Sequence, residues 1–172
     1  MVGFALALIA VICIAYVSSL ALESRSMAAH SIARAQQVLE DMASLLSSLK
    51  DAERGQRGYL LSEDEAYLKP YVQAVPEIAL KLKNLREQMA GNAEQLKNLD
   101  VLDRLVAEKM EIMARTLALQ RNEGVKSVAA FLRTDRSLES MEGIRDLAET
   151  IERDERERLA QSERNWQDAV NT

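Results

Sequence analysis

The opening segment constrains the fold more than any other part of the chain, because it carries no charged side chain. From Val2 to Leu22 the residues are apolar apart from one Tyr and two Ser. A helix of this length spans about 30 Å, which is the thickness of the hydrocarbon core of a bilayer. We therefore expect residues 1–22 to form a transmembrane helix.

Two other readings of this segment are open from the residues themselves. A secretory signal peptide would normally have a basic leader and an apolar core of only about 7–15 residues, whereas this run is longer and has no preceding Lys or Arg. A buried helix of a soluble protein rarely lacks all charge over such a length. The residues after the run show no basic excess, which favours a location outside the cytoplasm for the remainder of the chain.

The composition after Leu22 predicts a single helical domain, residues 23–170. The chain has two Pro, six Gly and few aromatic residues, and Ala, Leu, Glu and Arg are abundant. Its net charge of −5 argues against a nucleic-acid partner. Cys13 and His30 are the only Cys and the only His, so the sequence offers no disulfide framework and no Cys- or His-based metal site. We therefore expect no enzymatic activity and no cofactor.

Apolar residues at helical spacing predict four long helices, with a short helix before the last. A heptad-like seam marks the second helix: Tyr71, Val75, Ile78, Leu82, Leu85 and Met89. Asn92 is predicted as the N-cap of the third helix, Gly124 as the end of that helix and Ser137 as the start of the last.

The lengths of these helices predict the architecture. Residues 22–57 and 137–172 would each form about 52 Å of helix. We expect an all-α fold in which the transmembrane helix continues into an elongated up-down-up-down four-helix bundle. The chain would then return to the membrane surface, where a second membrane helix and an output domain would follow residue 172.

Residues 51–71 predict a helix, a tight corner and a second helix. Glu53 and Arg57 are four residues apart, in the favourable order for an ion pair. Gly55 and Gly58 would destabilise a helix unless a neighbour needs the space. Ser62, followed three residues later by Glu, has the form of a capping box and is predicted as the N-cap of the new helix.

The same stretch resembles the signature of the CHASE extracellular sensor domains of the third class. The family form Glu-Arg-Gly-x-x-Gly-Tyr-Leu-Leu fits residues 53–55 and 58–61, and the resemblance extends from about residue 39 to residue 166. Residues 134–142 depart from the family, which often has glycines before the last helix.

The resemblance implies a sensory input domain of a bacterial histidine kinase, nucleotide cyclase or chemoreceptor. It implies a place on the periplasmic side of the plasma membrane, a homodimer, and an unidentified small-molecule or protein stimulus, sensed through motion of the first and last helices. The alternative is a membrane-anchored helical scaffold. No ligand site comes with the resemblance, so the candidate sensing residues are those of the signature and the corner: Glu53, Arg54, Arg57, Gly55, Gly58, Tyr59, Tyr67 and Tyr71. Each of them is also explained by packing or by ion pairs without a ligand.

Overall fold

The computed structural model describes residues 2–134 and 137–170, and the side chains of residues 1–29, 134–139, 166 and 168–172 lie outside the described part. Every regular element within those ranges is helical, which confirms the all-α class. The elements are α1 (Val2–Ser62), a 3-10 helix (Glu65–Leu68), α2 (Lys69–Gln88), α3 (Ala93–Glu123), α4 (Val125–Thr134) and α5 (Ser137–Val170).

The ends of α3 follow from two residues that the sequence singles out. The Asn92 side chain accepts hydrogen bonds from the backbone N–H groups of Glu94 and Gln95, which have no partner within the helix. At the other end Gly124 has φ +82°, a conformation that residues with a Cβ rarely adopt. Both predicted boundaries are confirmed.

The chain divides into two compact units, and the larger one comprises residues 38–155. One apolar core fills this unit, to which α1, α2, α3 and α5 all contribute. Its buried side chains include Val38, Met42, Leu45, Leu49 and Ala52 of α1; Ala74, Ile78 and Leu85 of α2; Leu99, Leu102, Val106 and Met113 of α3; and Met141, Ile144, Ala148 and Ile151 of α5. Val75 is 41% exposed and Ala74 takes its place in the core, so the predicted seam is wrong at that one position.

The side-chain contacts between α1 and α2 show the relative direction of the two helices. Asp41 of α1 accepts hydrogen bonds from Lys81 at 2.9 Å and from Gln88 at 2.7 Å. Further along α1, Ser48 donates to Glu77 at 3.1 Å. Because residue numbers rise along α1 while they fall along α2, the two helices are antiparallel.

The contacts between α3 and α5 show the same order. Gln95 donates a hydrogen bond to Asp154 at 3.5 Å. Further along α3, Leu105 lies beside Gly143 of α5: a Cβ on that glycine would be 3.5 Å from the Cδ1 atom of Leu105. These two helices are therefore also antiparallel.

The smaller unit comprises residues 1–37 and 156–172. In it α1 and α5 lie side by side, and the hydroxyl oxygens of Ser31 and Ser162 are 3.0 Å apart. Among the described residues, no helix combines the length and the apolar character needed to cross a bilayer. The predicted membrane segment, residues 1–22, falls where side chains are not described.

Candidate functional site: the corner after the first helix

The corner, residues 53–71, is built around two glycines of α1 that allow close packing. A Cβ on Gly55 would lie 2.9 Å from the backbone nitrogen of Tyr71 and 3.0 Å from the backbone oxygen of Tyr67. A Cβ on Gly58 would lie 2.7 Å from Cδ1 of the Tyr67 ring. Gly55 therefore admits the backbone of the following segment against α1, and Gly58 admits an aromatic ring.

The turn itself differs from the predicted capping box. α1 continues through both glycines to Ser62, whose hydroxyl donates to the Gly58 carbonyl at 2.8 Å and accepts from the Asp64 amide at 3.2 Å. Glu63 then takes φ +58°, in the left-handed region. Asp64 caps the 3-10 helix by accepting from the Ala66 amide at 2.9 Å. The prediction of Ser62 as the N-cap of the second helix is wrong, because packing of the two glycines compensates for their poor helix propensity.

Aromatic side chains close the inner side of the corner. Tyr59 is buried with Leu68 and Leu117, and Tyr71 packs against this cluster. The Arg121 guanidinium lies 5.7 Å from the centroid of the Tyr59 ring, a cation–π distance. Burial raises the pKa of the Tyr71 hydroxyl, because an apolar environment disfavours the phenolate.

A second contact of Arg121 joins the far end of α3 to the corner. Its guanidinium donates to the Glu65 carboxylate at 3.0 Å. Hydrogen bonding to Tyr59 and then to Glu65 raises the pKa of Arg121. Arg121 therefore holds the 3-10 helix against the end of α3 from the solvent side.

Polar side chains add to the apolar contact between this part of α1 and α3. Lys109 of α3, only 3% exposed, donates to the Glu53 carboxylate at 3.0 Å. Gln56 of α1 donates to the Met113 carbonyl of α3 at 3.4 Å, and Gln120 donates to Glu63, the residue after α1, at 2.9 Å. Residue numbers rise together along both helices, so α1 and α3 are parallel. The predicted ion pair between Glu53 and Arg57 is wrong, because Glu53 turns inward to compensate the buried charge of Lys109.

Four side chains on one face of α1 line an open cavity of about 260 Å³: Lys50, Glu53, Arg54 and Arg57. We call it the cationic cavity. Arg54 is paired with Asp51 at 2.7 Å. Within the described part of the chain, neither Lys50 nor Arg57 makes an ion pair.

The structure thus sorts the predicted site residues into two sets. Glu53, Arg54 and Arg57 meet in the cationic cavity, whereas the remaining five form the packed corner: Gly55, Gly58, Tyr59, Tyr67 and Tyr71. Lys50 was not among the predicted site residues, although its position four residues before Arg54 places it on the same helical face. Lys109 and Arg121 were not among them either, and no local pattern exists for them.

Metal ligands are not clustered in the part of the chain that the structure describes, where no group of at least three His, Cys, Asp or Glu side chains could hold an ion.

The fold and the site define an all-helical protein with a charged cavity on α1 and a tightly packed corner. Comparison with known families specifies it further. The CHASE3 domain matches residues 28–165, and the chain belongs to the CHASE3 domain family. The resemblance noted in the sequence is thereby confirmed.

A solved structure supports the same assignment. The chain is similar to the crystal structure of the Rhodopseudomonas palustris histidine kinase HK9 sensor domain, with a TM-score of 0.68 and 26% sequence identity. The match covers 73% of this chain and 98% of that one. No curated protein matches the chain.

Proposed function

We propose that this chain is the extracytoplasmic input domain of a transmembrane signalling receptor, anchored by residues 1–22. The observation that carries the proposal is the CHASE3 match over residues 28–165. The similarity to a histidine kinase sensor domain supports it, because the match covers 98% of that solved chain. The uncharged opening run supports the anchor, and the lack of a basic excess after it supports a position outside the cytoplasm. The parent protein would supply the enzymatic output, as a histidine kinase or nucleotide cyclase.

The proposed architecture is an elongated up-down-up-down four-helix bundle across residues 23–170. The antiparallel order of α1 with α2 and of α3 with α5 supports it, as does the shared core of the larger unit. A homodimer is part of the proposal by analogy with receptors of this kind. No basic surface for nucleic acid is expected at a net charge of −5.

The proposed signal is a small displacement of α1 relative to α5. In the smaller unit these helices meet at Ser31 and Ser162, whose hydroxyl oxygens are 3.0 Å apart. Helix shifts of about 1–2 Å are a known way of transmitting a signal between sites. A stimulus that changes the packing of the larger unit would be passed on through these two helices.

A reversible cross-link between the two helices tests this mechanism. Ser31→Cys and Ser162→Cys are introduced together into the full-length parent protein, with Cys13→Ser to remove the native thiol. We expect oxidation to fix the output at one level, insensitive to stimulus, and reduction to restore the response. The matched control carries Ser31→Cys alone. A cross-linked receptor that responds as well as the reduced one would refute the proposed motion.

The coding sequence after residue 172 would distinguish a receptor from the alternative, a membrane-anchored scaffold. We expect an apolar run of about 20 residues followed by a signalling domain. A stop codon at that point would favour the membrane-anchored scaffold instead.

A further inference from the structure

We infer that the cationic cavity is a binding site for a small organic dianion that carries two carboxylate groups. The inference deepens the proposed sensory function and rests on it, since it assigns a ligand class to the sensor. It is carried by the charge balance of the cavity, by its size and by the positions of its cations on α1.

The balance of charge leaves the cavity short of two negative charges. Lys50, Arg54 and Arg57 bring three positive charges to it. Asp51 compensates one of them through its 2.7 Å contact with Arg54. The Glu53 carboxylate also lines the cavity, but the buried ammonium of Lys109 compensates it at 3.0 Å. A ligand with two negative charges would complete the balance.

The order of the cations along α1 is unfavourable without such a ligand. Lys50 and Arg54 are four residues apart, and Arg54 and Arg57 are three apart, so each pair shares one helical face. Like charges at these spacings destabilise a helix by a few tenths of a kcal/mol per pair. An ordinary solvated face would place acidic and basic residues four apart, as Glu152 with Arg156 and Asp154 with Arg158 are in α5. An anion between the three cations turns these repulsions into attractions.

Size limits the ligand to a small molecule. The cavity of about 260 Å³ is below the range of about 300–1,000 Å³ that drug-sized ligands need. Two arginines side by side suit carboxylates, because each guanidinium can donate two parallel hydrogen bonds to one carboxylate. Phosphate has the same acceptor chemistry but concentrates its charge on one centre. The spacing of three cations along a helix favours two separate carboxylates.

Titration of the full 172-residue chain tests the inference directly. The chain is purified in a non-ionic detergent, and succinate is titrated at constant low ionic strength by isothermal calorimetry. We expect saturable binding to succinate, at least tenfold weaker binding to acetate and to inorganic phosphate, and progressive loss of binding as salt screens the charges. Succinate that fails to bind, or that binds no better than acetate or phosphate, would overturn the inference.

Three variants show whether the cavity is responsible. Arg57→Gln removes an unpaired cation and should weaken succinate binding at least tenfold. Asp51→Asn releases Arg54 from its ion pair and should strengthen binding, an effect that a structural role of Asp51 alone would not produce. Arg153→Gln, at an exposed position of α5, is the matched control and should leave binding unchanged. Equal affinities for all three variants would also refute the site.

The titration tests the ligand class and the cross-link tests the helix motion, so a negative result in one experiment does not decide the other. The titration uses the chain without any output domain, whereas the cross-link reports on output without any added dicarboxylate. Binding without a cross-link effect would retain the site and refute the motion. A cross-link effect without binding would retain the sensor and refute the ligand class.

Discussion

The backbone of Tyr71 passes so close to Gly55 that a Cβ on the glycine would lie 2.9 Å from the Tyr71 amide nitrogen. Side chains can rotate away from a new methyl group, but a backbone amide at the start of a helix cannot. The contact therefore fixes how closely α2 approaches α1, and it gives a structural reason for the glycine in the Glu-Arg-Gly signature.

Gly55→Ala should therefore destabilise the chain, by about 1–3 kcal/mol, because overpacking against backbone outweighs the better helix propensity of Ala. Chemical denaturation measures the change in the free energy of unfolding. Gly143→Ala is the matched control, since its new Cβ would meet only Leu105 at 3.5 Å, and it should stabilise α5 by up to about 1 kcal/mol. Equal effects of the two variants would contradict this account.

Glu53→Ala should cost about 1–3 kcal/mol of stability, because it removes the carboxylate that compensates the buried charge of Lys109. Replacing both residues, as Glu53→Leu with Lys109→Met, should restore much of that loss. Urea denaturation of the single and double variants gives the coupling energy. Glu87→Ala serves as the control: it breaks an exposed pair with Lys83 and should change stability by less than about 0.5 kcal/mol.

Asn92→Asp should stabilise the chain by about 0.5–1 kcal/mol. The Nδ2 atom of Asn92 is buried without a hydrogen-bond partner in the described part of the chain, while Oδ1 caps α3. A carboxylate keeps the cap, removes the unsatisfied donor and places negative charge at the positive end of the helix. Thermal unfolding at neutral pH measures the gain. Asn122→Asp, in the last turn of α3, places the same charge at the negative end and should be destabilising.

Tyr71→Phe should make the chain less sensitive to alkaline pH. Burial raises the pKa of Tyr71 in the folded state, so the unfolded chain loses this proton first as the pH rises. The resulting contribution to stability is complete below pH 10 and is lost as the pH climbs through the raised pKa. Urea midpoints at pH 8 and pH 11 should differ less for Tyr71→Phe than for the wild type. Midpoints of Tyr71→Phe that depend on pH as strongly as those of the wild type would contradict this prediction.

Helix ends were predictable wherever one residue decides them. Asn92 has the side chain that an N-cap needs, and Gly124 has the freedom to adopt φ +82°. Ser62 was mispredicted for a physical reason. A local pattern cannot show that Gly55 and Gly58 are compensated by packing against residues nine to sixteen positions away, and this compensation lets α1 continue through them.

The chemistry of the corner was predictable only in part. Helical spacing predicted that Glu53, Arg54 and Arg57 lie close together on α1, and they do meet in one cavity. The side chain that compensates Glu53 lies fifty-six residues away on α3, at a separation for which periodicity carries no information. Long-range charge pairing of this kind appears only once the helices are packed.

The polar contacts between α1 and α3 have a mechanical consequence. Glu53 with Lys109 and Glu63 with Gln120 are joined through long side chains with several rotatable bonds. Such side chains can follow a helix displacement by changing rotamers, whereas closely packed leucines lose contact energy as soon as a gap opens. The backbone contact at Gly55 allows even less movement. The contacts with α3 at Glu53 and Glu63 can thus follow a displacement, whereas the contact with α2 at Gly55 cannot.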